Sequence, residues 1–212
     1  MLCAFVGPIQ IESIPKFSVL PGLLYICVLM QSRIILDSRK FELTIERLCH
    51  QLIENHGDFS NSCIIGLQPR GLFLSGRILA MLGKLLPGIS IEYGILDTTF
   101  YRDDFRHQDK PLIPKSTDIE FIIENKNVIL IDDVFYTGRT VRAGLDALLD
   151  FGRPAKIELL VLIDRRLSRH VPISPDYVGK TIDAVTSEKV RVEWSENGGE
   201  DKVWIIPFKE DK

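Results

Sequence analysis

Two adjacent carboxylates, Asp132 and Asp133, follow an apolar run at residues 128–131 and precede a small polar turn, Thr137-Gly138-Arg139-Thr140. A run of that length suits a strand buried on both faces. Behind the turn, Val141, Leu145, Leu148 and Leu149 recur at i, i+4, i+7 and i+8, the pattern of a helix with one apolar stripe, and Gly152 followed by Pro154 ends it. Strand, acidic pair, turn and helix in that order place the polar groups at the carboxyl end of a parallel strand, where open α/β sheets bind ligands. The turn exposes backbone N–H groups at a helix N-terminus, with the Thr137 and Thr140 hydroxyls and the Arg139 guanidinium beside them, a cradle for a phosphate monoester. Ionised carboxylates only accept hydrogen bonds, so the pair suits a ligand that presents hydroxyls in twos. A phosphate at one end and a diol at the other describe a ribose 5-phosphate. An Asp-Asp pair alone is more often a solvated strand end; the phosphate turn at this spacing favours the functional reading.

A second strand-to-helix turn, Gln68-Pro69-Arg70-Gly71, separates the apolar residues 63–67 from a helix that begins at Leu72 and stops before Pro87. Arg70 offers a fixed cation and Gly71 a backbone that a ligand can approach closely, which fits an anion. Taken alone, this tetrapeptide is better read as carrying an ordinary surface arginine. Residues 98–118 lack helical or strand periodicity and carry Arg102, Asp103, Asp104, Arg106, His107, Asp109 and Lys110. Segments of this length without structure of their own are active-site lids or disordered loops. His107, a lone loop histidine, is expected at the surface.

The elements that position these groups alternate. Residues 34–36 form a short strand, and Asp37 or Ser38 caps a helix whose buried stripe is Phe41, Ile45, Leu48 and Leu52, with Gly57 beyond its end. Residues 89–96 read as a third strand and 157–163 as another, ended by Asp164-Arg165-Arg166. Residues 167–188 read as irregular. Residues 189–193 and 203–206 alternate like partly exposed strands across a turn at Asn197-Gly198-Gly199.

With 212 residues, 45% of them hydrophobic, the chain can bury a full core. A net charge of −3 argues against a protein dominated by non-specific nucleic-acid binding, though it leaves room for a local basic patch. Cys3, Cys27, Cys49 and Cys63 show no metal-ligand or Cys-x-x-Cys spacing and read as reduced core residues of a cytoplasmic protein. Residues 1–29 are apolar but contain Pro8, Pro15 and Pro21. They fit neither a membrane helix, which needs roughly 20 uninterrupted apolar residues, nor a signal peptide. The expectation is an atypical extension preceding a domain at residues 30–212, with Met30 as the natural start; N-terminal peptides from residues 1–29 in the native protein would exclude it.

The segment at residues 128–140, continuing through Val141-Arg142-Ala143-Gly144, resembles the phosphoribosyl-pyrophosphate (PRPP) signature of the type I phosphoribosyltransferases. The wording is closest to the branch of pyrimidine-operon regulators that carry uracil phosphoribosyltransferase activity. The resemblance extends from about Arg33 to Glu193 and includes Thr99-Phe100-Tyr101-Arg102-Asp103-Asp104, Gly152-Arg153-Pro154, the stretch from Val161 to Arg165, and Asp176-Tyr177-Val178-Gly179-Lys180. It implies an α/β fold with a central, mainly parallel sheet flanked by helices, a small hood expected at residues 167–188 and a flexible active-site loop. It also implies a cytoplasmic enzyme that makes UMP and pyrophosphate from uracil and PRPP with Mg2+, as a homodimer or higher homo-oligomer, with no membrane role.

Carried onto this chain, the resemblance makes Asp132, Asp133 and Arg102 catalytic. Val134, Tyr136, Thr137, Gly138, Arg139 and Thr140 would hold the 5-phosphate, and Arg70 with Gly71 the pyrophosphate. Tyr177 and Val178 would lie against uracil, and Asp103 with Asp104 would help hold magnesium. Pro69 stands where members often carry another residue. No Ser/His/Asp or Cys/His arrangement suggests a covalent nucleophile. Regulators of this branch also bind the leader of pyrimidine-gene mRNA when loaded with UMP or UTP. Candidate contacts here are Arg47 and His50, near Arg33, Arg39 and Lys40, together with Arg165, Arg166, Arg169 and His170. Glu42 and Glu46 dilute the first patch. A nucleotide-sensing regulator without catalysis and a purine phosphoribosyltransferase remain alternatives, since the PRPP motif is shared across bases.

Overall fold

A computed structural model describes residues 32–103, 116–184 and 188–207. Residues 1–31, with Cys3, Cys27 and Met30, and the centre of the charged loop, with Asp104 and His107, lie outside these residues.

In chain order the elements are β1 (Arg33–Leu36), α1 (Ser38–His56), β2 (Ser62–Leu67), α2 (Gly71–Leu85), β3 (Glu92–Leu96), β4 (Asn127–Phe135), α3 (Arg139–Leu148), β5 (Lys156–Arg165), β6 (Tyr177–Ile182), β7 (Glu188–Glu193) and β8 (Lys202–Pro207). Five strands form a parallel sheet in the order β3-β2-β4-β5-β6. The remaining three form a small antiparallel sheet, β1-β8-β7.

The period of two along a strand explains why the central strands are apolar throughout. Ile64, Ile129, Ile131, Leu160 and Leu162 point into one core with Phe41, Ile45, Leu48 and Leu52 of α1 and Leu74, Ile78 and Leu82 of α2. Cys63, Ile65, Leu67, Val128, Leu130, Leu159 and Val161 point the other way, into a second core with Val141, Ala147 and Leu148 of α3. Both faces are therefore covered. The small sheet joins the first core through Leu36, Val190, Trp194, Val203 and Ile205. Trp194 meets Phe41 edge-on at 5.2 Å and stacks on Phe73 at 5.7 Å, which seats the hood on α1 and α2.

Local signals behave as their chemistry dictates. The Asp37 side chain accepts from the Lys40 N–H at 2.9 Å and caps α1, and Gly57 at φ 59° ends it. Cys49 and Cys63 are buried free thiols, and burial pushes both up to about 12. Among the described residues no helix is long and apolar enough to cross a membrane.

Four elements differ from the sequence expectation. β4 does not stop at the acidic pair: Asp132, Val134 and Phe135 continue the ladder with Val161, Ile163 and Asp164 of β5. β3 begins at Glu92 rather than Ile89. The buried face of α3 is Val141, Ala143, Gly144, Ala147 and Leu148, while Leu149 is 60% exposed. Small side chains let α3 close on β2, where a Cβ at Gly144 would come within 2.9 Å of Leu67 Cδ2. The chain then tightens into a 3-10 turn at Leu149–Phe151, which swings Leu149 outward. Finally, residues 177–182, expected to be irregular, form the parallel edge strand β6. An edge strand with exposed Lys180 and Thr181 has no continuous apolar run to announce it.

Candidate active site

The carboxyl ends of β2, β4 and β5 open into a cleft of about 750 Å³. The turn after β2 contributes Gln68, Pro69 and Arg70; β4 and the turn after it contribute residues 132–141; β5 ends there with Arg165. Arg102 enters from the segment after β3, and Glu188, Lys189 and Val190 of β7 form the hood's wall.

At the base lie Asp132 and Asp133, 7% and 4% exposed. Local N–H groups hold one oxygen of each: Asp132 Oδ1 accepts from Asp133 N at 2.9 Å and Asp133 Oδ1 from Val134 N at 2.7 Å. Burial raises both acids above the ordinary carboxylate range. For Asp132, pushed up to about 8, the neighbouring Asp133 adds to burial, while Arg70 and Arg102 oppose it. Arg70 opposes the rise at Asp133 as well. Without a ligand, burial therefore favours the neutral form of both acids.

This has a measurable consequence without ligand. A carboxyl whose folded-state value lies above its unfolded value of about 3.9 stabilises the fold fully below that value, and the contribution is lost as pH rises through the folded value. Thermal stability of the ligand-free protein is therefore expected to fall between about pH 4 and pH 8 through this pair. Asp132→Asn is expected to flatten that fall and to raise Tm at pH 8 by about 5 °C. Scanning calorimetry across the range checks it, and an unchanged slope in the variant would exclude the acid pair as its source.

Above the carboxylates the phosphate turn wraps the start of α3. Gly138 takes φ 87°, a left-handed conformation, and its carbonyl accepts from Arg142 N at 2.9 Å, opening the helix. Arg102 Nη1 donates to Thr140 Oγ1 at 3.1 Å, which brings a cation from the charged loop onto the turn. That loop is pinned at its base, where Ile95 and Asp118 form an antiparallel bridge and Asp97 N donates to Thr117 Oγ1 at 3.1 Å. After β2, Gly71 packs so tightly on β4 that a Cβ there would lie 2.2 Å from the Ile131 carbonyl oxygen. That contact sets Arg70 beside the acid pair.

Arg70, Arg102 and the turn thus face one cleft with the two carboxylates. The phosphoribosyl transferase domain model matches residues 31–197. The chain is 41% identical over 180 residues to the bifunctional protein PyrR of Bacillus cereus and to that of Bacillus mycoides, covering 84% of this chain and 98% of each relative. The chain belongs to the PyrR family of phosphoribosyl transferases. Among solved structures, a hypoxanthine phosphoribosyltransferase of Trypanosoma cruzi superposes with a TM-score of 0.63 at 15% identity, covering 84% of this chain and 97% of that one. One from Staphylococcus aureus gives 0.60 at 19%, covering 84% and 93%. At such identities the likeness concerns the fold, a parallel sheet flanked by helices with a small hood.

The phosphoribosyl transferase fold brings Asp132, Asp133, Val134, Tyr136, Thr137, Gly138, Arg139, Thr140, Arg70 and Arg102 to one cleft. Other expected residues lie elsewhere. Tyr177 and Val178, assigned to the base by resemblance, are not part of the cleft wall. Tyr177 opens β6, is 4% exposed, and its hydroxyl reaches back towards the amino ends of the strands. There it donates to Glu158 at 3.1 Å, accepts from Asn55 at 3.0 Å and meets His56 Nε2 at 3.1 Å. His56 also touches Glu158 at 2.8 Å and Ser62 at 2.9 Å, so a serine, a histidine and a glutamate do meet. All three are buried away from the cleft and satisfy one another, a clamp between α1, β2 and β5. Val178 pairs with Val161 and packs on the second core.

Asp103, assigned by resemblance to magnesium, faces two arginines. It bridges Arg139 and Arg142, each at 3.3 Å, tying the charged loop to the first turn of α3. Asp104 is outside the described residues. Among the described residues no group of three or more His, Cys, Asp or Glu side chains could cage a metal.

The expected RNA face also thins. Arg165 is 4% exposed, lies 4.0 Å over the Tyr136 ring and donates to the Glu188 carbonyl at 2.9 Å, so it belongs to the cleft. Arg169 is turned inward on Phe135, Tyr136 and Asp164. Arg166 is paired with Asp183 at 2.7 Å, and Arg47, though exposed, donates to the Val178 and Gly179 carbonyls. His50, Arg39 and Lys40 remain exposed on α1.

The cleft residues that sequence reasoning did not assign to the site are Gln68, Pro69, Phe135, Val141, Arg165 and the hood's Glu188, Lys189 and Val190. Arg165 carried the same signal as the acid pair, charge at the end of an apolar strand; the hood residues carried none.

Proposed function

We propose that this chain transfers the 5-phosphoribosyl group of PRPP to uracil, giving UMP and pyrophosphate, and that a uridine nucleotide in the same cleft governs binding to pyrimidine leader mRNA. The observation that carries the catalytic reading is the buried Asp132–Asp133 pair beneath the phosphate turn, flanked by Arg70 and Arg102. The relatives' name, bifunctional protein PyrR, supports the pairing of enzyme and regulator.

In this reading the turn at residues 137–140 holds the 5-phosphate through main-chain N–H groups and hydroxyls. Asp132 and Asp133 orient the ribose 2- and 3-hydroxyls and place negative charge near C1 as the bond to pyrophosphate breaks and positive charge builds on the ring. Arg70 and Arg102 receive the departing pyrophosphate. Uracil bonds to C1 through N1 as the C1–O bond to pyrophosphate breaks, and the N1 proton passes to the departing pyrophosphate or to water. We place uracil against Val190 and Lys189, with the stacked Arg165 and Tyr136 at its edge, a flat wall with polar groups of the kind planar ligands use. No residue need bond covalently to the sugar.

Magnesium fits this donor set. The ion prefers one or two carboxylates plus substrate phosphates and water to an all-protein cage. Asp132 and Asp133, buried and raised in pKa, are the residues that would hold it. Bound there, it would neutralise charge on the leaving pyrophosphate.

The test is UMP formation from labelled uracil with PRPP and magnesium, with hypoxanthine, guanine and adenine run in parallel. Uracil-dependent turnover is expected, and turnover with a purine alone would overturn the base assignment. For the regulatory arm, leader RNA is expected to bind more tightly with UMP present and to lose affinity steeply between 50 and 200 mM salt, by about tenfold or more. Binding indifferent to UMP would remove the sensor role. A homodimer would cover the apolar side chains of Phe100, Leu149 and Phe151, 68%, 60% and 43% exposed, on turns joined by the Tyr101–Asp150 hydrogen bond. Phe100→Asp with Leu149→Asp is expected to shift sedimentation towards monomer; an unchanged oligomer would place the interface elsewhere.

A further inference from the structure

We propose that Arg169 is a positioning residue for the phosphate turn, acting from outside the cleft; the inference rests on the phosphoribosyl-transfer reading. Arg169 lies in the connection between β5 and β6 and lines no part of the cleft. Its Nη1 donates to two consecutive main-chain carbonyls, Phe135 at 3.2 Å and Tyr136 at 2.8 Å. Its Nη2 pairs with the Asp164 carboxylate at the end of β5, and its guanidinium carbon lies 3.5 Å from the centre of the Phe135 ring. The next residue continues the contact: His170 N donates to the Thr137 carbonyl at 2.9 Å. Val171 then seats against Gly138, where a Cβ would come within 2.4 Å of Val171 Cγ2.

Three successive carbonyls, at 135, 136 and 137, are therefore bound by one strap. These peptides are trans, and in a planar trans peptide the carbonyl and the following N–H point in opposite directions. Holding the carbonyls outward turns the N–H groups of Tyr136, Thr137 and Gly138 to the other side, which is the cleft. A row of N–H groups so presented is an anion site, and its strength depends on how little it must reorganise when the phosphate arrives. Arg169 supplies that rigidity. It does not meet the phosphate, because its charge is matched by Asp164 and its ring-stacked position lies behind the turn. The role differs from RNA contact, for which an arginine must face solvent.

Arg169→Lys keeps a cation opposite Asp164 but cannot fork to two carbonyls and a carboxylate while lying flat on a ring. A second variant, Arg169→Gln with Asp164→Asn, removes both charges together, so that no buried carboxylate is left unmatched. In both, affinity for UMP and KM for PRPP are expected to weaken by about tenfold, while affinity for uridine, which lacks the phosphate, changes by less than about threefold. KM for uracil and kcat are expected to stay within about threefold of wild type. Titration calorimetry with UMP and uridine, and steady-state kinetics, read the split. Unchanged UMP affinity in both variants would overturn the proposal. Equal losses for UMP and uridine would overturn it too, because general loosening does not discriminate by phosphate. If the wild type binds neither nucleotide and does not turn over PRPP, the functional reading fails first and the role of Arg169 with it.

Discussion

Asp133→Asn is expected to lower kcat/KM for UMP formation by about 10³-fold, a loss of about 4 kcal/mol of transition-state stabilisation, with the fold intact. Asp133 is 4% exposed at the base of the cleft and lies beside Arg70. Its charge is wanted only when the ribose hydroxyls and the leaving pyrophosphate with its metal are present. Without them, burial favours the neutral acid. Asparagine retains the shape and an oxygen that can accept from Val134 N, the bond that Asp133 Oδ1 makes at 2.7 Å. It cannot carry the charge that the oxocarbenium-like ring requires. Steady-state kinetics with a thermal melt of the same sample test both halves. Activity within threefold of wild type would remove Asp133 from catalysis. A melt lowered by more than about 5 °C would mean that the carboxylate serves the fold instead.

Gly71→Ala is expected to destabilise the protein by about 3 kcal/mol and to raise KM for PRPP by an order of magnitude or more. A methyl group at this position would lie 2.2 Å from the Ile131 carbonyl oxygen and 3.1 Å from Asp132 Cα. Both are backbone atoms of β4, a strand paired on both sides, so neither can yield cheaply. α2 must move instead, and Arg70 is its N-cap residue. Because the same backbone supports Asp132, one methyl group disturbs the cation and the acid pair together. Gly76→Ala, in the same helix with nothing within 4 Å of the added atom, is the control and is expected to be neutral or stabilising by up to about 1 kcal/mol. Equal melts and equal KM values for the two variants would show that the approach of α2 to β4 is not what sets the pyrophosphate site.

Arg139, Arg142 and Asp103 show how the charged loop meets the phosphate turn. Asp103 occupies both arginines at 3.3 Å. Of the two, Arg139 also lines the cleft, so in the proposed reading an entering phosphate competes with Asp103 for it. Residues 104–115, the continuation of this loop, lie outside the described residues.

Much of this was legible because several signals are local. The apolar run at residues 128–131, the acid pair and the glycine-centred turn are contiguous, and strand-to-helix geometry leaves them one place to go, the carboxyl end of a parallel sheet. The α1 cap at Asp37 and its stripe of Phe41, Ile45, Leu48 and Leu52 likewise depend on neighbours three and four residues away. Partner choice across the sheet was not legible. β1, next to α1 in sequence, pairs with β8 from the far end of the chain, and Tyr177 answers to His56, Asn55 and Glu158 rather than to the cleft. Residues 188–190 carry only the alternation of a half-exposed strand, and the packing of Trp194 on Phe41 and Phe73 is what sets their hood beside the cleft. Arginine is the clearest case. The sequence determined that Arg165, Arg166 and Arg169 carry charge near one strand end, since composition and period suffice for that. Only the tertiary structure decided that the first lines the cleft, the second pairs with Asp183 and the third braces the phosphate turn. A long cation can reach in several directions, and which direction it takes depends on the carboxylates, carbonyls and rings that distant segments bring within a few ångströms.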